Sequence, residues 1–511
     1  MKIRVLILFL LYSSIIAQDV LKLFKEITFE EDEYYYSQVS FMGDFNKDGY
    51  SDFVMSSPKF IRIYWGGKNF DISNFSLIPT NDSFTIQSTI ATKGDLNNDS
   101  ISDLVFTGYK NFGFEKELFR IYLLLSDKTN NYKLKTFMTF PIGRNFWFHG
   151  LTINGNINGD SYNDIIIGES TIPMGYGQIS IYLGGKEIDT IPDLIVKGTE
   201  LSGHFGFSPE YISDLNGDGY SELLVGEPKI LADPSMGNSY LFYGGKEISF
   251  KSSVQFSDTN NYNRCYGIRN TSLGDINGDG YSDFAITSRL FIDVFSGKTL
   301  KLIERYFTHP DWGSPRVISN GSDLNKDGYS DFIIGYESGN INIFMGSSNF
   351  STLPYYVYYG EIKKFNEDFT IEIGGDINGD DQEEIIFNVI ETQNIDGQFK
   401  NTKKIYIYSW NESNTNIAET KSLPMVAALF QNYPNPFNPS TIISYSISTY
   451  QHVKLIIYDS LGRLVKILLD EDKLPGTHKC TFDGKDYPSG IYFCQIITKE
   501  FSKTIKMILL K

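Results

Sequence analysis

The chain has 511 residues, and a composition of 41% hydrophobic and 15% aromatic residues is that of a folded globular protein. Its formal net charge of -17 argues against binding to nucleic acid or to an anionic membrane surface. The 34 Tyr, 39 Phe and 45 Gly favour many short strands joined by tight turns, and so an all-β fold.

The first residues have the pattern of a secretory signal peptide. Lys2 and Arg4 form a basic start, residues 5–11 begin an apolar run, and Ala17 precedes a predicted cleavage site before Gln18. The alternative is a membrane anchor, but an apolar run of about 12 residues is too short to span a bilayer. We therefore expect residues 1–17 to be removed on export, and we expect no transmembrane segment in the remainder.

A nine-residue segment returns seven times, at intervals of 48 to 61 residues. It is clearest as DINGDGYSD, and we number the copies loops 1 to 7 by their first residues, which are Asp44, Asp95, Asn156, Asp214, Asp275, Asp323 and Asp376. Each copy follows one short strand pattern and precedes three more. Because a four-stranded antiparallel sheet of this kind cannot bury both faces alone, radial stacking predicts a seven-bladed β-propeller over residues 18–410.

A propeller ring has to close. Strand patterns lie at both ends of the repeat region, within residues 27–42 and within residues 404–410. We expect strands from the two ends to share one blade, because this removes the free sheet edges.

The pattern changes after the repeats. Residues 411–428 are polar and predict a linker, whereas residues 429–511 contain short alternating strands and predict a small β-sandwich. Cys480 and Cys494 lie in this second domain. Two readings stay open for them, a disulfide permitted by export or two buried thiols.

The repeated segment has the oxygen pattern of a calcium loop. Side-chain oxygens occupy positions 1, 3, 5 and 9, position 7 offers its carbonyl, and glycine at position 6 permits a sharp turn. Oxygen-only donors favour calcium over zinc. The predicted ligands are Asp44, Asn46, Asp48, Tyr50 and Asp52 in loop 1; Asp95, Asn97, Asp99, Ile101 and Asp103 in loop 2; Asn156, Asn158, Asp160, Tyr162 and Asp164 in loop 3; Asp214, Asn216, Asp218, Tyr220 and Glu222 in loop 4; Asp275, Asn277, Asp279, Tyr281 and Asp283 in loop 5; Asp323, Asn325, Asp327, Tyr329 and Asp331 in loop 6; and Asp376, Asn378, Asp380, Gln382 and Glu384 in loop 7.

An EF-hand or a dockerin is the rival interpretation. Those loops need a bidentate acid at position 12 and flanking helices. Here position 12 is always apolar, as at Ile286 in loop 5, and it falls within a predicted strand. The acid at position 9 takes its place.

The acidity of the chain belongs to these loops. They carry twenty predicted carboxylate ligands, without which the net charge would be near +3. The loops are unequal, because Ser100, Ser161 and Asp381 replace the preferred glycine and Asn156 replaces an aspartate. Loops 1, 4, 5 and 6 keep every feature, so we expect them to bind best.

The fourth repeat, HFGFSPEYISDLNGDGYSELLVGEP, resembles the FG-GAP repeat of integrin α-subunit propellers. It has Phe205-Gly206, the calcium loop, and then residues 225–228 in place of the GAP element. Elsewhere Tyr266-Gly267 and Trp312-Gly313 stand at the FG position. The resemblance covers about residues 25–410, and it implies loops between the first and second strands of each blade, on the face opposite the ligand-binding surface.

The C-terminal sequence resembles the type A sorting domain of the type IX secretion system. The matching segments are QNYPNPFNPSTIISYSI, YDSLGRLV, PGTH, SGIYFCQI and the closing KMILLK. The resemblance implies a Gram-negative bacterium of the Bacteroidetes type, engagement of the type IX machinery, passage through the periplasm, and secretion or attachment at the outer surface. It also implies removal of this domain, between about residues 411 and 429.

Three functions are in competition, of which the third is a scaffold that binds nothing except its own kind. The first is a non-catalytic adhesion or recognition module with an extracellular protein or glycan ligand, and the second is a propeller-based polysaccharide lyase or hydrolase. The propeller holds only three histidines, His149, His204 and His309, and we find no nucleophile elbow, HExxH or phosphate loop. His149 and His204 lie beside FG-type positions, where a packed histidine is more frequent than a catalytic one. Trp147 and Trp312 stand at FG positions, where packing between blades is more frequent than stacking on sugars. The sequence therefore favours recognition without catalysis.

Variation along the repeats indicates where recognition occurs. The turns between second and third strands differ in length and chemistry, at residues 109–117, 170–177 and 227–238. Variable loops on a rigid scaffold are where binding sites usually lie. We expect the ligand on the face away from the calcium loops.

Overall fold

The structure is a computed structural model. It describes residues 21–29, 38–57, 60–78, 84–111, 117–126, 132–142, 146–171, 175–200, 203–230, 237–246, 253–258, 265–307, 314–337, 339–352, 354–359, 370–395, 398–410, 428–429, 432, 434–447, 451–473, 476–499 and 501–510. The chain divides into two compact units, Met1–Glu412 and Ser413–Lys511. The predicted signal peptide and nearly all of the predicted linker lie outside the described residues.

The first unit consists of four-stranded antiparallel sheets, with strands numbered in chain order. Sheet 1 contains β2 (Val39–Gly43), β3 (Asp52–Ser56), β4 (Ile61–Tyr64) and β5 (Phe75–Ile78). Sheet 2 contains β6 (Thr85–Gly94), β7 (Asp103–Asn111), β8 (Glu117–Ser126) and β9 (Tyr132–Ile142). Sheet 3 contains β10 (Phe146–Gly155), β11 (Asp164–Thr171), β12 (Gln178–Tyr182) and β13 (Leu194–Lys197).

Four more sheets follow the same order of strands. Sheet 4 contains β14 (Phe207–Ile212), β15 (Glu222–Glu227), β16 (Asn238–Phe242) and β17 (Ser253–Ser257). Sheet 5 contains β18 (Arg269–Gly274), β19 (Asp283–Thr287), β20 (Phe291–Phe295) and β21 (Leu302–Phe307). Sheet 6 contains β22 (Pro315–Ile318), β23 (Phe332–Tyr336), β24 (Asn340–Phe344) and β25 (Tyr356–Tyr359). Sheet 7 contains β26 (Ile371–Ile373), β27 (Glu384–Ile395), β28 (Gln398–Trp410) and β1 (Leu21–Phe29).

The second strand of each sheet is apolar on both faces because it packs between two neighbouring sheets. In β3, Phe53 and Met55 pack in a core shared with sheet 7, whereas Val54 packs in a core shared with sheet 2. All five residues of β3 are buried. Alternating side chains of one strand therefore join a sheet to the sheets before and after it, as in a propeller.

The ends of the first unit meet in one sheet. Strand β1 pairs antiparallel with β28, with Leu21 opposite Trp410 and Ile27 opposite Ile405. Sheet 7 in turn contacts sheet 1, where the Ser51 amide donates to the Asp376 carbonyl at 2.8 Å. The predicted sharing of a sheet by the two ends is confirmed.

The second unit contains two sheets around one core. One has strands β29 (Ala428–Leu429), β30 (Ser440–Ile447) and β33 (Gly476–Asp483); the other has β31 (Gln451–Asp459), β32 (Leu464–Lys473), β34 (Gly490–Ile497) and β35 (Ser502–Leu509). Cys480 and Cys494 lie on different sheets and are free thiols. Burial raises the pKa of Cys494 to about 12, as expected of a packed thiol. Of the two interpretations of these cysteines, the structure supports free thiols, with Cys494 buried and Cys480 half-buried.

The all-β prediction is confirmed, since every regular element in the described part of the chain is a strand. Within those same residues, no helix has the length and apolar character needed to cross a membrane.

The closing strand should contribute to stability through its buried side chains. Ile27 is 5% exposed and packs in the core between sheets 7 and 1. We expect Ile27→Ala to lower the free energy of unfolding by about 2–5 kcal/mol, because it leaves a cavity where the ring closes. A chemical denaturation series measures this value. Lys22→Ala, at an exposed position of the same strand, is the control; equal stability of the two variants would show that closure is not stabilising.

Candidate metal centres

The seven loops connect the first and second strands of their sheets. In loop 5, β18 ends at Gly274 and β19 begins at Asp283, the position-9 acid. The same acid begins the second strand in every sheet but sheet 6, where β23 begins one residue after Asp331. Position 9 therefore belongs to the sheet, and positions 1 to 8 form the connection.

The position-9 carboxylates are fully buried, and backbone amides hold them. In loop 1, Asp52 accepts hydrogen bonds from the amides of Phe45 at 2.9 Å and Gly66 at 2.8 Å. Phe45 is position 2 of the loop, and Gly66 lies in the turn after the third strand. The other members, all 0% exposed, are Asp103, Asp164, Glu222, Asp283, Asp331 and Glu384. Each acid ties the start of its loop to its sheet.

Burial makes these carboxylates hard to ionise without a cation. It raises the pKa of Asp52, Asp103, Asp164, Glu222, Asp283 and Asp331 to about 7 and that of Glu384 to about 8. The position-5 carboxylates add repulsion, and the backbone hydrogen bonds oppose the shift only in part. A bound cation would compensate the negative charge at these positions.

The position-1 aspartate shapes the turn. Asp44 accepts the Asp48 amide through Oδ1 and the Gly49 amide through Oδ2, each at 2.9 Å. The chain needs a left-handed residue at position 6, where Gly49 has a φ of 92°. Ser100 and Asp381 adopt the same conformation, with φ values of 67° and 65°. Loops 2 and 7 therefore form the same turn without glycine at position 6, although a left-handed residue other than glycine has a conformational cost.

Loop 3 departs from this geometry. Asn156 has one acceptor oxygen, which takes the Gly159 amide at 2.7 Å. The Ser161 amide donates to Asp160 Oδ1 at 2.7 Å and not to position 1, and Ser161 does not have a positive φ. The side-chain amide at position 1 has a single acceptor oxygen, so it cannot hold the position-5 and position-6 amides on two separate oxygens as the Asp44 carboxylate does.

Three carboxylates converge in loop 4. One oxygen each of Asp214, Asp218 and Glu222 lies within 4.8 Å of the other two. Oε1 of Glu222 is buried and has no hydrogen-bond partner, although Oε2 accepts the Leu215 amide. A buried acceptor without a donor, in a set of hard oxygen donors, fits a calcium-type cation. The other loops place the same residue types on the same backbone, and their role as ligands stays a prediction.

Position 8 was not singled out by the sequence, although serine occupies it in five loops. Its amide donates to the position-1 carbonyl of the preceding loop in four pairs: Ser51 to Asp376, Asn163 to Asp95, Ser221 to Asn156, and Ser330 to Asp275, at 2.8 to 2.9 Å. The loops are thereby joined to one another and not only to their own sheets.

Position 7 adds a second contact between loops. A Cβ built at Gly159 would lie 2.5 Å from the Tyr220 ring, and one at Gly379 would lie 2.3 Å from the Tyr50 ring. The tyrosine of one loop thus covers position 4 of the preceding loop, where a side chain would collide. The sequence suggested only a carbonyl ligand at position 7.

The histidines and aromatic residues at FG-type positions can be placed only in part. His204 is fully buried, and burial lowers its pKa, which fits the packing role expected from the sequence. The Tyr266 hydroxyl donates to Asp293 at 3.1 Å inside the protein. The side chains of Trp147 and His149, and residues 308–313 with Trp312 and His309, lie outside the described part of the chain.

Comparison with known families agrees with this architecture. A family profile described as "FG-GAP-like repeat" matches residues 44–106 and 214–286, and one described as "Secretion system C-terminal sorting domain" matches residues 431–510. The chain thus carries FG-GAP-like repeats, which form a propeller, and ends in a sorting domain of the type IX secretion system. Such a domain indicates export, with secretion or attachment at the cell surface.

Among curated proteins, the repeats are similar to integrin α-subunits. Integrin alpha-8 of Gallus gallus is 27% identical over 152 residues, covering 29% of this chain and 14% of that protein. Integrin alpha-PS2 of Drosophila melanogaster is 30% identical over 144 residues, covering 26% of this chain and 10% of that protein. The similarity thus spans a small part of the length of these relatives.

Positions 5 and 9 should respond differently to mutation. Asp283→Ala removes the acceptor of the Ile276 and Gly297 amides, and each stranded amide costs about 1–3 kcal/mol. We expect this variant to melt at a lower temperature with or without calcium. Asp279→Ala removes the acceptor of the half-buried Tyr281 amide alone, so its loss of stability relative to wild type should be small in EDTA and large with calcium. Thermal unfolding of both variants with calcium and with EDTA makes the comparison. Identical behaviour of the two variants would contradict the separate roles.

Proposed function

We propose that the propeller is a calcium-stabilised recognition module, exported by the type IX system, that binds an extracellular protein or glycan without breaking bonds. The observation that supports the metal most strongly is the convergence of Asp214, Asp218 and the unpartnered Glu222 Oε1 in loop 4. In this proposal the residues at positions 1, 3, 5, 7 and 9 of each loop hold calcium.

The role of the metal is structural. Calcium compensates the repulsion between carboxylates and fixes the connection between two strands in each sheet. Binding to the folded state alone adds about 2.7 kcal/mol per site at a hundredfold excess over Kd. The hydrogen bonds that join four pairs of successive loops extend this effect from one loop of a pair to the other.

The strand lengths support recognition on the opposite face. The second strand has five residues in sheets 1, 5 and 6, nine in sheet 2 and twelve in sheet 7. In sheet 7 the register continues to Ile395 opposite Gln398, and in sheet 2 to Asn111 opposite Glu117. These hairpins extend by unequal amounts at the end away from the calcium loops, and so provide distinctive surface.

The turn between β15 and β16 offers a test of this face. Its base is fixed, because the Lys229 amide donates to the Gly203 carbonyl at 3.0 Å and buried Asn238 is bonded to Gln255 at 3.0 Å. Replacing residues 231–236 by a short Gly-Ser turn should therefore leave the melting temperature unchanged and weaken ligand binding. A glycan array and a pull-down, both with calcium, identify the ligand. An exposed substitution on the other face, Lys326→Ala, is the control.

Three results would count against the recognition proposal. Binding that survives the turn exchange but fails when calcium loops are altered without unfolding would move the site to the calcium face. Release of oligosaccharides from a polysaccharide by the purified protein would establish the lyase or hydrolase alternative. A protein that binds neither glycan nor protein would leave only the structural role.

Export should leave two new ends. We expect the mature protein to begin near Gln18 and to end between about residues 411 and 429, because the signal peptide and the sorting domain are removed. Mass spectrometry of the culture supernatant and the outer membrane gives both ends. Full-length protein retained in the cytoplasm would contradict the proposal.

A further inference from the structure

One turn residue distinguishes sheet 2 from its neighbours. The turn after the third strand contains a glycine at the equivalent place in five sheets: Gly66, Gly184, Gly244, Gly297 and Gly346. A Cβ at these positions would lie 1.9 to 2.5 Å from the backbone carbonyl of position 8 of the loop. In sheet 2 the residue is Ser126, so the turn and the loop are arranged differently there.

The Ser126 side chain enters loop 2. Its hydroxyl lies 3.2 Å from both carboxylate oxygens of Asp99 and 3.2 Å from Oδ1 of Asp103. The Ser126 amide donates to Asp103 Oδ1 at 2.9 Å, as the glycine amide does elsewhere. The hydroxyl therefore sits where the position-5 and position-9 carboxylates meet.

Loop 2 is also the most enclosed of the seven. Asp99 is 7% exposed, Ile101 2% and Asp103 0%. The position-5 acid is half-buried in loop 5 and exposed in the remaining loops. Asn97 donates its amide to the Ser126 carbonyl at 3.0 Å, and its buried Oδ1 has no hydrogen-bond partner.

Among the described residues, neither the Asp99 nor the Asp103 carboxylate forms an ion pair with a lysine or arginine. Asp99 Oδ1 accepts the Ile101 amide at 2.9 Å and Asp103 Oδ1 accepts the Ser126 amide, so Asp99 Oδ2 is the oxygen that depends on the hydroxyl proton. Lys47 of loop 1 donates to the backbone carbonyl of Asp99 at 3.5 Å, and not to its carboxylate. Two buried carboxylates therefore converge beside the hydroxyl, and the same loop holds a buried amide oxygen without a hydrogen-bond partner. A cation is favoured more strongly here than in an exposed loop.

We propose that Ser126 supplies a calcium ligand to loop 2 from outside the nine-residue motif, and that the enclosed loop holds its ion more tightly than the others. The inference rests on the proposed function, in which the loops bind calcium. It reverses the ranking expected from the sequence, in which Ser100 made loop 2 a weak site. An added neutral oxygen and a rigid, buried site both raise affinity for calcium.

The test is a calcium titration of the whole protein against a chromophoric chelator. We expect Ser126→Ala to weaken the tightest site about tenfold or more and to leave the remaining sites unchanged. Alanine keeps the Cβ and the backbone amide, so folding should persist, and a thermal melt in EDTA checks this. Ser73→Ala is the matched control, since its hydroxyl donates to Asp71 at 2.8 Å on the surface, outside every loop.

A second variant assigns the effect to loop 2. In an Asp99→Asn background the tightest site should be lost, and Ser126→Ala should then change calcium affinity no further. In an Asp279→Ala background, which removes the calcium site of loop 5, the effect of Ser126→Ala should persist. An unchanged or tighter first site in Ser126→Ala, with calcium still bound, would overturn this inference alone. Absence of calcium binding to the wild-type protein would instead overturn the proposed function.

Discussion

The buried carboxylate at position 9 is the interaction on which the rest of the propeller unit depends. It lies at the start of the central apolar strand, and it accepts the amide of position 2 and, in most sheets, an amide from the turn after the third strand. A loop held at both ends in this way has little freedom, and its remaining oxygens face one another. The same residue thus organises the sheet and creates an excess of negative charge beside it. We propose that a bound calcium ion compensates this negative charge.

Several neighbouring loops are connected to one another and are not separate sites. In four pairs of successive loops the position-8 amide of one loop bonds to the position-1 carbonyl of the preceding loop, and in three pairs a position-7 tyrosine lies over position 4 of the preceding loop. Both contacts use atoms that calcium binding would leave available. An ion that orders one loop therefore also fixes groups that the next loop contacts. This arrangement explains how small, similar loops can rigidify a large ring whose opposite face varies.

Much of this architecture could be predicted because it repeats. Seven copies of one motif gave the loops, the strands around them and the all-β class, and the ends of the repeats predicted the pairing of β1 with β28. The contacts that were missed join residues far apart in sequence. Ser126 lies 23 residues from Asp103 along the chain, and no local pattern shows that its hydroxyl enters loop 2. The burial of Asp99 is likewise a property of the folded sheet. Cys480 and Cys494 stayed ambiguous because the sequence did not show which sheet each strand joins.

The proposed function requires that the repeated loops bind calcium in the folded, exported protein. The most direct test is the number of calcium ions bound per chain, measured by equilibrium dialysis with metal analysis on the natively exported protein. We predict about one ion per loop at saturating calcium, with at least loop 2 and the loops that keep both glycine and all carboxylates filled. A folded protein that binds no calcium under these conditions would contradict it.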